Sequence, residues 1–266
     1  MKSVRYSWIK RWALLPLAVG WLALTGGCAT RGRDTVTQVA TIDALLAGAF
    51  DGSMALGELL QYGDLGIGTF DRLDGEMVVL DGRVWQVRAD GSVREPSRRT
   101  TTPFAAVIRF APDWTMPVEQ PLNLTGLQER INAAALNSNL MHAVRVRGNF
   151  AAVKTRSVPP QQKPYPTLAE VTRHQPVFNA TNVAGTLVGF RLPAYVGGIN
   201  VPGYHLHFLA DDRSFGGHLL ECVMTDGVIE ADASHRFTMI LPEGDNGFGR
   251  VDLSLDRSAA LQEAER

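Results

Sequence analysis

Residues 203–222 read GYHLHFLADDRSFGGHLLEC and contain three of the six histidines of this 266-residue chain. Side chains two positions apart on a strand point to the same face of a sheet, so His205 and His207 are expected to project together. A turn over Asp212-Arg213 places His218 directly opposite His207, with their Cβ atoms about 4.5–5.5 Å apart. The stretch therefore predicts a β-hairpin on which three imidazoles converge.

Three converging imidazoles are typical of a metal centre, and zinc, copper, iron and nickel all accept imidazole as a ligand. A site with three protein ligands leaves coordination positions open, as in catalytic rather than structural zinc sites. Cys222 shares strand parity with His218 and is the alternative fourth ligand, although we favour a small, buried, apolar role for it. The sequence thus predicts that His205, His207 and His218 bind a catalytic metal ion.

The overall composition is that of an ordinary globular protein, with 45% hydrophobic residues and a formal net charge of −1. A chain of this length accommodates one large domain or two small ones. Its near-neutral charge and lack of a basic run argue against a nucleic-acid-binding protein. No nucleic-acid partner is therefore expected.

The N-terminal segment is typical of a signal peptide for export. Four basic residues among the first eleven precede an apolar segment, 13–24, that is too short to span a bilayer comfortably. Small residues then lead to Cys28, as in bacterial lipoproteins, whose cysteine is lipidated. We expect a signal peptide over 1–27, lipidation of Cys28, a tether over 28–41 and a catalytic domain over 42–266. The protein is then held at the cell envelope by its lipid alone, facing the periplasm or the exterior; a plain secretory signal is the alternative.

Turn signals and hydrophobic periodicity divide the rest of the chain into many short strands and a few helices. Besides those of the histidine hairpin, strands are predicted at 76–80, 83–87, 104–110, 142–150, 185–190 and 235–241. Helices are predicted at 53–62, at 125–137, after Thr167 and at 256–266. Two of them begin with capping boxes, at Thr125 with Gln128 and at Thr167 with Glu170. This pattern indicates an α+β fold with mixed or antiparallel sheets and a few short helices.

Several segments resemble the α-acetolactate decarboxylase family, in the same order along the chain from about residue 42 onward. The first 41 residues lie outside the resemblance, and the histidine segment is its most specific part. The matching segments are GDLGIGTFDRLDGEMVVLDG at 63–82, TPFAAVIRF at 102–110, HAVRVRGNF at 142–150, QPVF at 175–178, and GTLVGFRLPAYVGGINVPGYHLHFLADDRSFGGHLLE at 185–221.

The resemblance implies a zinc enzyme, usually a homodimer, that converts (S)-2-acetolactate to (R)-acetoin and CO₂. It implies that Zn²⁺ is bound by the three histidines of the hairpin. It further implies catalytic roles for Glu76 in the LDGE motif and for Arg145 in the AVRVRG segment. A glutamate near the end of the last helix corresponds best to Glu265, with Glu263 as the second choice.

Two other functions stay open at this point. The protein could be a catalytically silent, metal-binding envelope lipoprotein, but the presence of Glu76 and Arg145 favours an enzyme. It could also be a different three-histidine metalloenzyme acting on a small keto or hydroxy acid. An iron-dependent cupin-type oxygenase would need a further carboxylate or histidine ligand at its own spacing, which the sequence lacks.

Overall fold

The computed structural model describes residues 34–135, 137–244 and 247–265, which are built mainly from β-strands. The predicted signal peptide, residues 1–27, and Cys28 lie outside these ranges. No helix within them has the length and apolar character needed to cross a lipid bilayer.

The elements are numbered in chain order. The strands are β1 (Thr35–Val39), β2 (Met54–Ala55), β3 (Leu65–Thr69), β4 (Glu76–Leu80), β5 (Arg83–Val87), β6 (Val93–Arg94), β7 (Thr101–Thr102), β8 (Ala105–Ile108), β9 (Trp114–Val118), β10 (Leu122–Asn123), β11 (Met141–Arg156), β12 (Val177–Leu192), β13 (Gly203–Ala210), β14 (Gly216–Ser234) and β15 (Arg236–Ile240). The α-helices are α1 (Ile42–Leu46), α2 (Leu56–Leu59), α3 (Leu124–Ala134), α4 (Leu168–Thr172) and α5 (Ser258–Ala264), and short 3₁₀ helices cover Asp71–Leu73, Ala194–Val196 and Phe248–Arg250.

Two large sheets form the body of the protein. The first has the strand order β15-β1-β8-β3-β4-β5-β6, and the second has the order β10-β14-β11-β12-β13, with β9 paired to β14. Strands β1 and β15 run parallel, whereas all other pairings among the described strands are antiparallel. This mixed, largely antiparallel architecture with few short helices confirms the predicted fold class.

The second sheet closes on itself near the histidine hairpin. Strand β14 pairs with β11 along most of its length and with β13 over three residues, so β11, β12, β13 and β14 form a ring of paired strands. As a result, the start of β14 lies between the end of β11 and the strand that carries His205 and His207.

Apolar packing holds the sheets and helices around this ring. Side chains from β3, β4 and β8 share one hydrophobic cluster with side chains from β11 and β12, which joins the two sheets face to face. Helix α3 covers the opposite side of the second sheet with Leu127 and Ile131. Helices α1, α4 and α5 form a further cluster with Leu73 and Phe104.

Two local predictions are confirmed to the residue. Strands β4 and β5 have the predicted bounds, and their connection over Asp81-Gly82 has positive φ at both positions, 50° and 73°, as the tightest hairpin turns require. The capping box of Thr167 and Glu170 is present at the start of α4. The turn at Asp81-Gly82 and the cap at Thr167 are each specified by only two to four residues.

The domain begins earlier than predicted, because residues assigned to the tether form a strand inside the first sheet. Strand β1 lies between β15 and β8, and four of its five residues are buried. Polar Gln38 is among them, and its amide nitrogen donates to the carbonyl oxygens of Ala40 (2.8 Å) and Ile199 (2.7 Å). The polar residues of this segment suggested a linker in the sequence. Gln38 can be buried because these hydrogen bonds satisfy its amide.

Two helices differ from the prediction at their N-termini. The helix predicted at 53–62 is confined to α2, because Ser53 donates its backbone N–H to the Thr102 carbonyl (2.9 Å) and residues 54–55 pair with β7. Helix α3 is capped by Asn123, whose side chain accepts from the Gly126 N–H at 2.8 Å, and not by Thr125.

Candidate metal centre

The histidine hairpin has the predicted register. His207 pairs directly with His218, and the two strands are joined by a loop that begins after Ala210. Gly217 has a φ of +127°, and a Cβ atom there would lie 2.4 Å from the carbonyl oxygen of Arg156. A glycine is therefore needed beside His218 for β14 to approach β11 this closely.

The three imidazoles converge in the interior. The ring centroids of His205, His207 and His218 are 5.0–5.4 Å apart, and one ring nitrogen from each lies within 4.8 Å of the others. All three side chains are buried. The predicted convergence is confirmed, and it is the only such group of ligating side chains within the described ranges.

The ring nitrogens of His207 have distinct environments. Its Nδ1 lies 2.8 Å from the carbonyl oxygen of Met77, which can only accept, so the proton is on Nδ1 and the Nε2 lone pair is free. Among the described residues, this buried Nε2 has no hydrogen-bond partner. An unpartnered nitrogen facing two other imidazoles fits a metal ligand, with the Met77 carbonyl fixing the tautomer.

Burial keeps the imidazoles neutral. Loss of hydration lowers the pKa of His205 to about 3 and holds the pKa values of His207 and His218 well below the usual range. The positive charge of Arg156 lowers all three further. Neutral imidazole is the form that binds metal, so protons compete weakly at this site near neutral pH.

Glu76 reaches the histidines from the first sheet. It is the first residue of β4, its carboxylate lies 3.5 Å from His207 Nε2, and its side chain is 12% exposed. Burial raises its pKa to about 8, an effect that the Arg156 charge partly offsets. Because Met77 follows directly, the start of β4 supplies both an ionisable group and the carbonyl that orients His207.

Glu265 reaches the histidines from the last helix. Its carboxylate lies 3.7 Å from His218 Nε2 and 3.9 Å from His205 Nε2. Burial raises its pKa to about 7. Helix α5 is held by buried Leu261 and Ala264, whereas Leu253, Leu255 and Ala259, which the sequence suggested as docking contacts, are exposed.

Glu263, the second choice for the terminal glutamate, points away from the site. Its carboxylate pairs with Arg173 at 2.7 Å on the exposed side of the helix. Of the two glutamates, the structure brings only Glu265 to the histidines.

The structure does not bring Arg145 to the histidines. Its guanidinium donates to Glu230 (2.8 and 3.1 Å) and to Asp81 (3.1 Å), and it stacks 4.6 Å from the centroid of the Phe110 ring. These contacts join the two sheets. Arg145 is therefore a structural ion-pair residue, and the site takes its arginine from another position.

Arg156 is that residue, and the sequence analysis missed it. It pairs with His218 at the end of β11, is 3% exposed, and its Nε and Nη1 atoms have no hydrogen-bond partner among the described residues. A buried guanidinium with free donors is suited to a planar anion. The predicted strand stopped at 150, but the sequence continues to alternate uncharged Val153 and Thr155 with charged Lys154 and Arg156, which is the signal that extends the strand to 156.

These groups surround one inner cavity. Its polar wall consists of the three histidines, Glu76, Arg156 and Glu265, and its apolar wall includes Ile42, Leu45, Leu73, Phe104, Val158 and Leu168. Cys222 is not part of it: the thiol packs in the core behind the second sheet, and burial raises its pKa to about 12. Of the two roles considered for Cys222, the structure shows the apolar one.

Comparisons with known proteins agree with this geometry. Residues 36–255 match the family model described as alpha-acetolactate decarboxylase. The chain is 46% identical to the alpha-acetolactate decarboxylase of Methanosarcina mazei, over 88% of this chain and 81% of that protein. It is 39% identical to that of Bacillus subtilis, over 78% of this chain and 81% of that protein.

The solved structures extend the match to the fold. The crystal structure of alpha-acetolactate decarboxylase from Bacillus subtilis matches with a TM-score of 0.84 at 36% identity, covering 87% of this chain and 99% of that one. A Staphylococcus aureus protein described as similar to alpha-acetolactate decarboxylase gives a TM-score of 0.82 at 30% identity. The chain belongs to the alpha-acetolactate decarboxylase family.

Proposed function

We propose that this protein is a carboxy-lyase that converts (S)-2-acetolactate to (R)-acetoin and CO₂ with Zn²⁺ bound by its three histidines. Besides membership of the family, one structural observation supports the proposal. A single buried cavity contains three neutral imidazoles, an arginine with unpartnered donors, and two carboxyl groups whose pKa values are raised toward neutrality.

The residues fit a divalent metal ion. Imidazole nitrogens are good ligands for zinc, and the unpartnered Nε2 of His207 is the ligand atom that would bind such an ion. Bound there, the ion would supply Lewis acidity for negative charge that develops on the ketone and hydroxyl oxygens of the substrate. Elemental analysis of the purified protein would identify the metal.

Arg156 is suited to the substrate carboxylate. Its Nε and Nη1 have no partner among the described residues, and a guanidinium presents parallel N–H groups that match the two oxygens of a carboxylate. Such charge-assisted bonds fix orientation as well as affinity. In the reaction the bond between C2 and the carboxylate carbon breaks, CO₂ leaves, and the electron pair moves through C2 to the ketone oxygen. Arg156 then faces the position that the leaving CO₂ vacates.

The two glutamates are suited to proton transfer. The reaction consumes one proton in total, since the carboxylate anion becomes neutral acetoin and CO₂. Raised pKa values allow Glu76 and Glu265 to carry protons near neutral pH, which suits general acid–base work. Delivery of the proton to C2 from one fixed side of the cavity would set the configuration of acetoin.

The apolar wall of the cavity suits the methyl groups of the substrate. Acetolactate carries one methyl on the ketone carbon and one on C2, and the side chains of Leu45, Leu73 and Val158 line the cavity. Contacts of this kind orient a small ligand that its polar groups alone would leave free to rotate.

The direct test is incubation of the purified full-length protein with racemic acetolactate. We expect acetoin and CO₂ in equal amounts, acetoin of (R) configuration, and loss of activity on removal of the metal. Stoichiometric metal without acetoin formation would instead support the silent metal-binding lipoprotein.

We propose export and lipid anchoring for the full-length chain. The support is the basic, apolar and small-residue pattern before Cys28, since lipoprotein processing adds several acyl chains and one chain alone binds membranes only marginally. Cys28→Ser should move the protein from the membrane to the soluble fraction. Finding wild-type protein unprocessed in the cytosol would contradict the proposal.

Homodimer formation is proposed by analogy with the family that the sequence resembles. Sedimentation at several protein concentrations would measure the oligomeric state, and a monomer at micromolar concentration would contradict it.

A further inference from the structure

A second, outer cavity lies against the inner cavity beside the histidines. The two cavities share His218 and Glu265 in their walls. The inner cavity is lined mainly by buried residues, whereas the outer one is lined in part by polar side chains that are partly or largely exposed. Those that bear on the argument are Gln128, Lys154, Tyr204 and Glu221.

The strand pairing explains how charged residues come to lie there. On β11, Lys154 and Arg156 are two positions apart, so they share a face and are about 7 Å apart along the strand. On β14 their partners are Glu221 and His218. Three positions separate these partners, which would normally put them on opposite faces, but a bulge at Leu220 restores the same face.

The bulge therefore builds a charged pair beside the metal centre. Lys154 Nζ lies 2.7 Å from Glu221 Oε1, with side chains 39% and 70% exposed. An ion pair this exposed is weak, so Lys154 can exchange Glu221 for another carboxylate at small cost. Arg156, with its free donors, lies next along the strand.

Two cavities lead toward Glu265 from the surface, and the charges in their walls differ. A different cavity also reaches Glu265, but its wall contains Asp43 and Asp256 with a single cation, Arg257. The substrate named under Proposed function is an anion, and it meets a less negative surface through the outer cavity. Lys154 and Arg156 are about 7 Å apart along β11, and over such a distance the Coulomb attraction between a cation and a carboxylate is substantial where the surroundings are partly buried.

We propose that the outer cavity is the substrate entrance and that Lys154 attracts the substrate carboxylate and passes it to Arg156, with Glu221 as the competing anion. The inference rests on the proposed substrate being a small carboxylate. Lys154 is a positioning residue for binding, because the proton and bond changes occur at the inner cavity.

The test compares three variants of the full-length, metal-loaded protein at low ionic strength. Lys154→Gln should raise KM about three- to tenfold with kcat within about twofold, because it removes an attractive charge near the carboxylate. Glu221→Gln should lower KM, because it removes the competitor. Arg83→Gln is the control: it removes the same charge from an exposed ion pair with Glu95, outside both cavities.

Two further measurements make the result decisive. The differences in KM should disappear at about 0.5 M salt, where exposed charges are screened. Titration calorimetry with 2-hydroxy-2-methylpropanoate, a carboxylate that cannot be decarboxylated in this way, should show the same weakening of Kd in Lys154→Gln without any turnover.

The outcomes separate the two proposals. If Lys154→Gln and Arg83→Gln do not differ in KM or in Kd, the entrance is refuted whether or not acetoin forms. If wild type forms no acetoin but its Kd for the anion depends on Lys154, the entrance stands and the proposed decarboxylation fails. If neither acetoin formation nor a dependence on Lys154 is found, both fail.

Discussion

At the residue scale, Glu265 and Glu263 form a matched pair two positions apart on one helix. Glu265 faces the histidines, and Glu263 pairs with Arg173 on the surface. Glu265→Gln should lower kcat by about 10²–10⁴-fold with normal metal content, since the three histidines are the proposed metal ligands and general acid–base catalysis is lost. Glu263→Gln should keep wild-type kcat. Steady-state kinetics with metal analysis checks both, and equal activity of the two variants would exclude the proposed role.

Arg156 and Arg145 allow a second comparison, because both lie on β11. Lysine cannot reproduce the planar, paired donors of arginine, so Arg156→Lys should lower kcat/KM by about 10- to 100-fold with little effect on unfolding. Arg145→Lys disturbs a largely buried pair with Glu230 and should lower stability by about 1–3 kcal/mol. Its kcat/KM should stay near wild type. The reverse pattern would mean that Arg145 is the catalytic arginine.

Single residues differed in how well the sequence alone identified them. The three histidines were identified because alternation and one turn determine their faces locally. Arg156 was not identified, because Arg145 in the AVRVRG segment was a plausible candidate. Nothing in the local sequence shows that Arg145 has carboxylate partners and that Arg156 has none. Arg145 donates hydrogen bonds to Glu230 and Asp81, which are 85 and 64 residues away from it in the chain. Pairing at that separation is set by the fold.

At the scale of elements, helix α5 is held by a small buried face, made by Leu261 and Ala264, and by the exposed ion pair of Glu263 with Arg173. Leu261→Ala removes one of its two buried side chains and should release the helix locally. We expect kcat to fall at least about tenfold, as Glu265 loses its position, while bound metal is retained. Faster amide hydrogen exchange in 258–264 would accompany the loss.

Leu255→Ala is the control for this prediction, since Leu255 precedes the helix and is 56% exposed. It should leave kcat and exchange unchanged. If Leu261→Ala kept full activity, docking of α5 would not be needed to position Glu265.

Element boundaries show where local signals end. The β4–β5 hairpin and the start of α4 were predicted correctly because two to four residues specify them. Strand β11 was predicted to end at 150, but it continues to Arg156 because β12 and β14 pair with it on both sides. Strand β1 was missed for the same reason: its partners are β8 and β15, which come much later in the chain. Pairing partners, not propensity, set these bounds.

At the scale of the whole molecule, the metal should contribute to stability. A ligand that binds only the folded state stabilises it by about 2.7 kcal/mol at a hundredfold excess over its Kd. For a protein of this size that corresponds to a rise of about 5–11 °C in unfolding temperature. Calorimetry of chelator-treated protein should show the loss, and added Zn²⁺ should restore it. An unchanged unfolding temperature would argue against a metal bound by the three buried histidines.

The pairing of β1 would have a mechanical consequence if the protein is held from its N-terminal side by the proposed lipid anchor. A pull transmitted along β1 acts parallel to the strand, against five residue pairs with β15 and three with β8. Hydrogen bonds loaded in this way must break together in shear, whereas a strand peeled from an edge loses them one at a time. Resistance to such a pull is governed by the rate of forced unfolding and not by equilibrium stability. With the lipid anchor proposed above, the load would enter the domain through β1, an interior strand of the first sheet.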